Sequence, residues 1–437
     1  MDLKNLMKEC GIVGAGGAGF PSYAKLADGA DTLVVNGSEC EPLLYTDYII
    51  LKREMPLVLE GVRAVVEYCK ISRAILSVKE HTAKKLSLAD GELLSYGVRV
   101  KVLPNVYPIG DEVGLIYQTT GRVVRPGNLP ISSGCVVFNV ETMYNLGRAI
   151  RYGESVTRKW LTVGGDVPTP TVVRVPIGAS VSELLCRLGV EVDDDHTVID
   201  GGPSMGKIIN PELAVVTRTT KSILVLPNDI QAVSTKLINE KGATARAETA
   251  CCQCTRCTDM CPRHLLGYPL EPHKMVRTAM GAASYLPELV KTATLCCGCG
   301  ICESLACSQG ISPRAVINNY KALLAKNKMK YISNAEVYAT PERDYRMIPS
   351  DRWAATLGVK RFDRVAVWGG ELDGFDRVSI PLGRFIGTPA VPSVKDGDIV
   401  SVSDSVGISA PGLSVGSAAS ISGRVTLGDG AVIIDKI

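Results

Sequence analysis

The chain has 437 residues, 46% hydrophobic and 21% charged, with a formal net charge of +3. That length exceeds one compact core and suggests two to four domains of about 100–200 residues each. A near-neutral charge without basic runs interleaved by aromatics excludes a nucleic-acid-binding surface. Apolar stretches such as Ser222–Pro227 fall far short of the ~20 residues of a transmembrane helix. The N-terminus lacks the apolar core of a signal peptide, so a cytoplasmic protein is expected.

In chain order, residues 1 to about 150 alternate glycine-rich turns, short apolar runs and helical patterns. The first marked feature is Gly11-Ile-Val-Gly14-Ala15-Gly16-Gly17-Ala18-Gly19-Phe20-Pro21. Its five glycines let a phosphate or flat ring approach the backbone, with amide donors pointing inward; taken alone it is equally a flexible turn. Thr32–Asn36 and Ala74–Val78 read as buried strands, and Pro56–Cys69 carries apolar residues at helical spacing. This β-then-α alternation predicts a parallel sheet. Further on, Lys159–Gly164 and Thr171–Val175 alternate around a turn and predict a hairpin. Ser182–Leu188 is a helix candidate, and Thr197–Asp200 and Ser222–Leu226 are strand candidates. Helices are expected at Lys274–Met280 and Arg314–Ala325. Residues 331–370 carry few signals and read as a linking segment. Short strands with Gly, Pro, Ser and Asp turns from Arg377 to Ile437 predict a small all-β unit.

The strongest signal is cysteine spacing. Ten of the 15 cysteines fall between Cys251 and Cys307, which in a cytosolic chain indicates metal binding and not a disulfide scaffold. Cys251, Cys254, Cys257 and Cys261, followed by Pro262, give C-x2-C-x2-C-x3-C-P. Cys296, Cys299, Cys302 and Cys307 give C-x2-C-x2-C-x4-C, one residue longer at the end. Three thiolates two residues apart line a tight loop around a cubane, and the fourth cysteine serves the other cluster. Cys251, Cys254, Cys257 and Cys307 are therefore expected to hold one [4Fe–4S] cluster, and Cys296, Cys299, Cys302 and Cys261 the second. Gly298 and Gly300 let backbone amides approach the sulfides. The competing reading is a zinc site or buried thiols, but zinc ribbons pair two C-x2-C units and not two triplets. Cys252 and Cys297 break the spacing and are left as non-ligands.

Further motifs join the glycine-rich loop: Asn36-Gly-Ser-Glu39-Cys-Glu41-Pro42, Tyr107-Pro-Ile-Gly110-Asp111-Glu112 and Asn139-Val-Glu141-Thr142. In order and spacing these resemble the flavin-carrying subunit of respiratory complex I and its relatives. The resemblance implies that Gly14, Gly16, Gly17, Gly19 and Lys25 contact the phosphate and ribityl chain of FMN. It implies that Asn36, Glu39, Asn139 and Thr142 complete the flavin pocket. Phe20, Glu41, Asp111 and Glu112 would sit near NADH, with Tyr107 and Gly110 in the same turn. Where that family's loop carries an arginine, this chain has Ala15. No catalytic side chain is assigned.

Flavin loop, β-grasp segment and dicluster segment in one chain further resemble the RnfC electron-transport subunits and the cobalamin reductases of bacterial microcompartments. The all-β tail follows the clusters instead of preceding the flavin loop, which favours the latter. The fold this implies is multidomain α/β and α+β. It comprises a Rossmann-like FMN and NADH domain (1–155), a soluble-ligand-binding β-grasp (SLBB) domain (156–240), a ferredoxin-like dicluster domain (241–330), the linking segment (331–370) and a barrel-sandwich hybrid (371–437). The function implied is a reductase passing electrons from NADH through FMN and two [4Fe–4S] clusters to cobalamin. A corrinoid adenosyltransferase and microcompartment shell proteins would be its partners. No DxHxxG-type cobalamin motif occurs, so corrinoid contact is expected to be superficial or through a partner. The alternatives are an RnfC-type conduit without a corrinoid role and a structural adaptor whose clusters only stabilise the fold.

Overall fold

The computed structural model describes residues 2–281 and 287–437; residue 1 and residues 282–286, inside the expected 1–155 and 241–330 units, lie outside the described residues. The N-terminal unit is a four-stranded parallel sheet in the order Val98–Leu103, Arg73–Lys79, Thr32–Gly37, Cys135–Asn139. The central strand Thr32–Gly37 is buried along almost its whole length, as a strand covered on both faces must be.

Helices Thr46–Cys69 and Val140–Tyr152 pack against each other over this sheet. Glycines let them touch: a Cβ on Gly61 would lie 2.1 Å from the Met143 carbonyl oxygen, and one on Gly147 2.0 Å from that of Leu57. The first helix begins earlier than the periodicity predicts. It breaks at Glu54 (φ −126°), two residues before Pro56, whose ring and missing N–H disrupt the turn before it.

The second unit is a six-stranded sheet. Arg158–Gly165 and Thr171–Pro176 form the expected antiparallel hairpin, and Ser222–Pro227, His196–Asp200 and Lys207–Ile209 extend it on one side. Its other edge is Val367–Glu371, which pairs in parallel with Thr171–Pro176. This strand comes from the 331–370 stretch, which is folded and not merely a connection. Ile348–Pro349 pairs with Val106–Tyr107, and the helix Ser350–Thr356 buries Trp353 completely.

Short helices build the cysteine-bearing unit, among them Glu240–Ala250, Pro272–Ala279 and Pro313–Lys326. The C-terminal stretch forms a four-stranded and a three-stranded sheet. It shares one core with the second unit, where Val173, Val175 and Val225 pack with Phe375, Val378 and Val432. Among the described residues no helix is long and apolar enough to cross a membrane.

Candidate functional site

The glycine-rich segment forms a closed loop at the carboxyl end of the parallel sheet, where α/β folds place ligands. Val13 and Pro21 bridge its base, Gly14 N–H donates to the Phe20 carbonyl at 2.8 Å, and Gly19 N–H donates to that of Gly14 at 3.1 Å. Gly17 (φ +108°) and Gly19 (φ +65°) adopt conformations that other residues resist. Gly16, Gly17 and Ala18 form an exposed tip.

The head of helix Val140–Tyr152 pins this loop. Thr142 Oγ accepts from Ala15 N–H at 3.1 Å, and a Cβ on Gly16 would rest 3.5 Å from Asn139. Asn139 caps the helix through Glu141 N–H (3.0 Å) and gives its amide to Asp47 (2.8 Å). Asn36 donates to the Gly110 carbonyl at 3.0 Å, bringing the Tyr107–Glu112 turn to the same strand ends. Lys25 joins that turn to the sheet through Glu112 (2.8 Å) and the Val137 carbonyl (2.9 Å). The flavin-site residues expected from sequence thus converge, with Phe20 half-buried at the loop's end.

Two residues expected beside the dinucleotide are engaged elsewhere. Glu41 accepts from the backbone N–H groups of Ser204 and Met205, each at 2.9 Å, and so docks the Gly201–Gly206 turn of the second unit. Asp111 caps helix Glu112–Thr120 and pairs with Arg263 at 2.7 Å, reaching the cysteine-bearing unit. Each of these carboxylates spends acceptor capacity on two protein donors, Glu41 on Ser204 and Met205 N–H and Asp111 on Gly114 N–H and Arg263.

Beneath the loop lies a buried charge cluster that the motifs do not reveal. Lys159 pairs with Glu141 and donates to the Ala15 carbonyl at 3.1 Å. Lys221 reaches Asp47 at 2.5 Å, Glu141 at 3.7 Å and Glu39 at 4.0 Å. Burial alone would lower the Lys221 ammonium, but Asp47, Glu39 and Glu141 together hold it above its ordinary value. Burial and then Asp47 push the Glu39 carboxyl up to about 7, against Lys221. Glu39 Oε1 is buried without a hydrogen-bond partner. Both lysines come from the second unit, so local sequence around the flavin motifs carries no sign of them.

The cysteines line two cavities. Cys251, Cys254, Cys257 and Cys307 surround one, and Cys261, Cys296, Cys299 and Cys302 the other. The fourth cysteine of each motif stands in the other motif's cavity, as the spacing predicts. The two triplet loops share a backbone trace: Gln253 and Thr255 (φ +57° and +63°) match Gly298 and Gly300 (φ +78° and +80°) position for position. The extra residue before Cys307 is absorbed in a π-helical turn over Cys302–Ala306, a device that inserts one residue without unwinding the chain. Cys252 and Cys297 line the cavities beside the expected ligands.

The donor set fits clusters. Burial first, then neighbouring sulfurs, pushes the Cys257 thiol up to about 12, a penalty that bound iron removes by replacing the proton.

The cavities differ in setting. Cys252 and Cys254 are exposed at the first, whereas Cys261, Cys299 and Cys302 are buried at the second. The buried one abuts the flavin-site turn: Tyr107 donates to the Cys299 carbonyl at 2.8 Å and stacks on Trp353 with ring centroids 4.7 Å apart. Trp353 Nε1 in turn donates to Ser204 Oγ at 2.8 Å, so three units meet there.

Comparison with known proteins agrees with this arrangement. Residues 7–148 match the Nuo51 FMN-binding domain family, and residues 250–312 match the 4Fe-4S dicluster domain family. Cobalamin reductase PduS of Salmonella typhimurium is 37% identical over 94% of this chain and 91% of its own length. The Citrobacter freundii PduS is 37% identical over 91% of this chain and 88% of its own. A component of the proton-translocating ferredoxin:NAD(+) oxidoreductase complex of Clostridium ljungdahlii is 29% identical over 60% of this chain and 56% of its own. On the extent of the first two matches, the chain belongs to the PduS cobalamin reductase family, and it carries an FMN-binding domain and a dicluster domain in one polypeptide.

Proposed function

We propose that the protein is an NADH-dependent flavin and iron–sulfur reductase that delivers electrons to a corrinoid. The observation that carries this reading is the direct contact of the flavin-site turn with the buried cysteine cavity, through Tyr107 and Cys299. When bound, FMN supplies conversion of the hydride's electron pair into single electrons, the only kind [4Fe–4S] clusters carry.

The chain's own residues hold and shield that chemistry. The Gly14–Gly19 loop would offer backbone N–H groups to the FMN phosphate, with Asn36, Asn139 and Thr142 fixing its strand-end side. Lys159 and Lys221, locked by Glu141 and Asp47, keep the loop's underside rigid and dry. Glu39, with a carboxyl near 7, can hold or release a proton at Oε1 at neutral pH. Cys261, Cys296, Cys299 and Cys302 would hold the cluster next to the flavin. Cys251, Cys254, Cys257 and Cys307 would hold the one facing solvent, where an acceptor can approach.

The remaining architecture fits the same reading. Five strands of the second sheet, with helix Val181–Arg187 packed into their core, support an SLBB β-grasp over 156–240, and two small sheets support a barrel-sandwich hybrid over 371–437. A corrinoid adenosyltransferase as partner and a bacterial microcompartment as setting belong to the same proposal, on likeness to the PduS relatives alone.

The test is anaerobic reconstitution with FMN, iron and sulfide. NADH should then produce the electron paramagnetic resonance signal of reduced clusters and reduce cob(III)alamin faster than free flavin does. Cluster reduction without any corrinoid rate would favour an RnfC-type conduit, the second reading, which the 29% match to the Clostridium ljungdahlii protein supports. Clusters that NADH cannot reduce would sink both.

A further inference from the structure

The two cysteine cavities are built alike and charged differently. In both motifs the residue two places after the fourth cysteine lines that cysteine's cavity: Arg263 at the buried one, Gln309 at the exposed one. Helices Pro272–Ala279 and Pro313–Lys326 repeat the pattern. Each opens on a proline, and the next residue lines a cavity, His273 the exposed one and Arg314 the buried one. The buried cavity is thus lined by two arginines and, among the described residues, by no carboxylate. The described wall of the exposed cavity holds neither arginine nor lysine.

Both arginines are held in place. Arg314 is 12% exposed, donates to the carbonyls of Ser204 (2.7 Å) and Gly298 (3.2 Å) and pairs with Glu303. Arg263 is 13% exposed, pairs with Asp111 at 2.7 Å and lies 5.6 Å from the Tyr268 ring centroid. In each pair the guanidinium lines the cavity and the carboxylate does not, so each turns its positive end inward. One donor is left over. Asp111 takes a terminal nitrogen of Arg263, while Arg263 Nε is buried without a hydrogen-bond partner. A buried donor left unpaired is costly, and the cavity beside it is walled by cysteines.

Reduction adds negative charge to a cluster, and burial opposes it. Cluster potentials answer to nearby charge, to hydrogen bonds on sulfur and to solvent exposure. With Cys261, Cys299 and Cys302 buried, burial alone would make the cavity beside the flavin-site turn the harder one to reduce. A cation and a free N–H on its wall act in the opposite direction.

We propose that Arg263, backed by Arg314, raises the reduction potential of the cluster in the buried cavity and so offsets the burial of that site. This rests on the reading that Cys261, Cys296, Cys299 and Cys302 are its ligands. Asp111 stands on the turn that Asn36 holds at the flavin site, so one ion pair joins the flavin-site turn to the wall of the neighbouring cavity.

The test is a redox titration of the reconstituted full chain, followed by electron paramagnetic resonance. Of the two cluster midpoints, the one retained in Cys307→Ala belongs to the buried cavity. R263Q gives this cavity the side chain that the exposed one carries. It should lower that midpoint by the equivalent of about tenfold or more in the reduced-to-oxidised ratio, roughly 59 mV for one electron. R263K should recover part of the loss. D111N removes the counter-charge and should shift the same midpoint upward, while the other midpoint stays in place. Opposite shifts from the two partners are what charge produces and what a merely structural role does not. Shifts of the same sign, or a fall short of about tenfold in R263Q, overturn the assignment. If R263Q fails to load the buried cavity, D111N decides, and no rise there overturns it. If the unmodified protein takes up no iron and sulfide, the ligand reading itself falls; if both clusters load and neither variant moves the midpoint, only the role of Arg263 is removed.

Discussion

The hydroxyl of Tyr107 donates to the backbone carbonyl of Cys299 at 2.8 Å, across the boundary between the flavin-binding and cysteine-bearing units. The Tyr107 ring lies almost parallel to that of Trp353, at an interplanar angle of 11°. Because Trp353 is fully buried and its Nε1 is hydrogen-bonded, truncation should open a large cavity. Trp353→Ala is expected to cost roughly 3–5 kcal/mol in denaturant unfolding, and Tyr107→Phe only about 1 kcal/mol. Trp353→Ala should also lose iron from the buried cavity sooner. Equal, small effects from both changes would mean that the stack does not hold the units together.

The interleaving of the cysteines makes a crossed prediction. Cys307→Ala should empty the cavity of Cys251, Cys254 and Cys257, although it belongs to the other motif. Cys261→Ala should empty that of Cys296, Cys299 and Cys302. Iron and sulfide counts with resonance spectra of each variant distinguish this from motif-by-motif ligation, which gives the opposite pattern. Cys257→Ala should lose one cluster and keep FMN. In the unmodified protein a ferrous chelator should strip the cavity bearing exposed Cys254 first.

Glu39 should make stability depend on pH in a defined direction. Its carboxyl sits near 7 in the folded protein, above its ordinary value of 4.5, because burial and Asp47 disfavour the anion. The folded state therefore holds this proton more tightly than the unfolded one. By linkage, the contribution is favourable at low pH and is lost as pH rises from about 4.5 through 7. Glu39→Gln keeps the neutral shape, so it should match the parent at pH 5 and be more stable at pH 8. Melting curves at the two pH values check this; an advantage confined to pH 5 would reverse the assignment.

These residues also mark how far the sequence could be read. The cysteine spacing, the glycine loop and the strands Thr32–Gly37 and Arg73–Lys79 were legible because each is a local pattern with a local physical cause. The partners of Glu41 and Asp111, the Gly201–Gly206 turn and Arg263, were not legible, because a motif fixes where a carboxylate stands but not which donors surround it. The stretch 331–370 looked featureless for a similar reason. Val367–Glu371 alternates exposed and half-buried residues around two glycines, and Trp353 is a lone aromatic whose partner, Tyr107, lies far away in the chain. Lys159 and Lys221 were invisible as site residues, since nothing near them in sequence belongs to the flavin motifs.

Lys159 offers the sharpest test of that hidden layer. Its ammonium is 1% exposed, paired with a Glu141 carboxylate that is 0% exposed, and it also holds the Ala15 carbonyl of the glycine loop. Removing one member of a buried pair strands the other charge. Lys159→Met should therefore destabilise the protein by roughly 3–5 kcal/mol. The double change Lys159→Met with Glu141→Gln should recover much of that loss, because no uncompensated charge remains, although Lys221 keeps a neighbour in Asp47 either way. FMN affinity should behave differently. Both variants lose the donor to Ala15, so both should bind FMN more weakly in fluorescence titrations even where stability returns. If FMN affinity recovered in step with stability, Lys159 would act on the fold alone and not on the position of the loop.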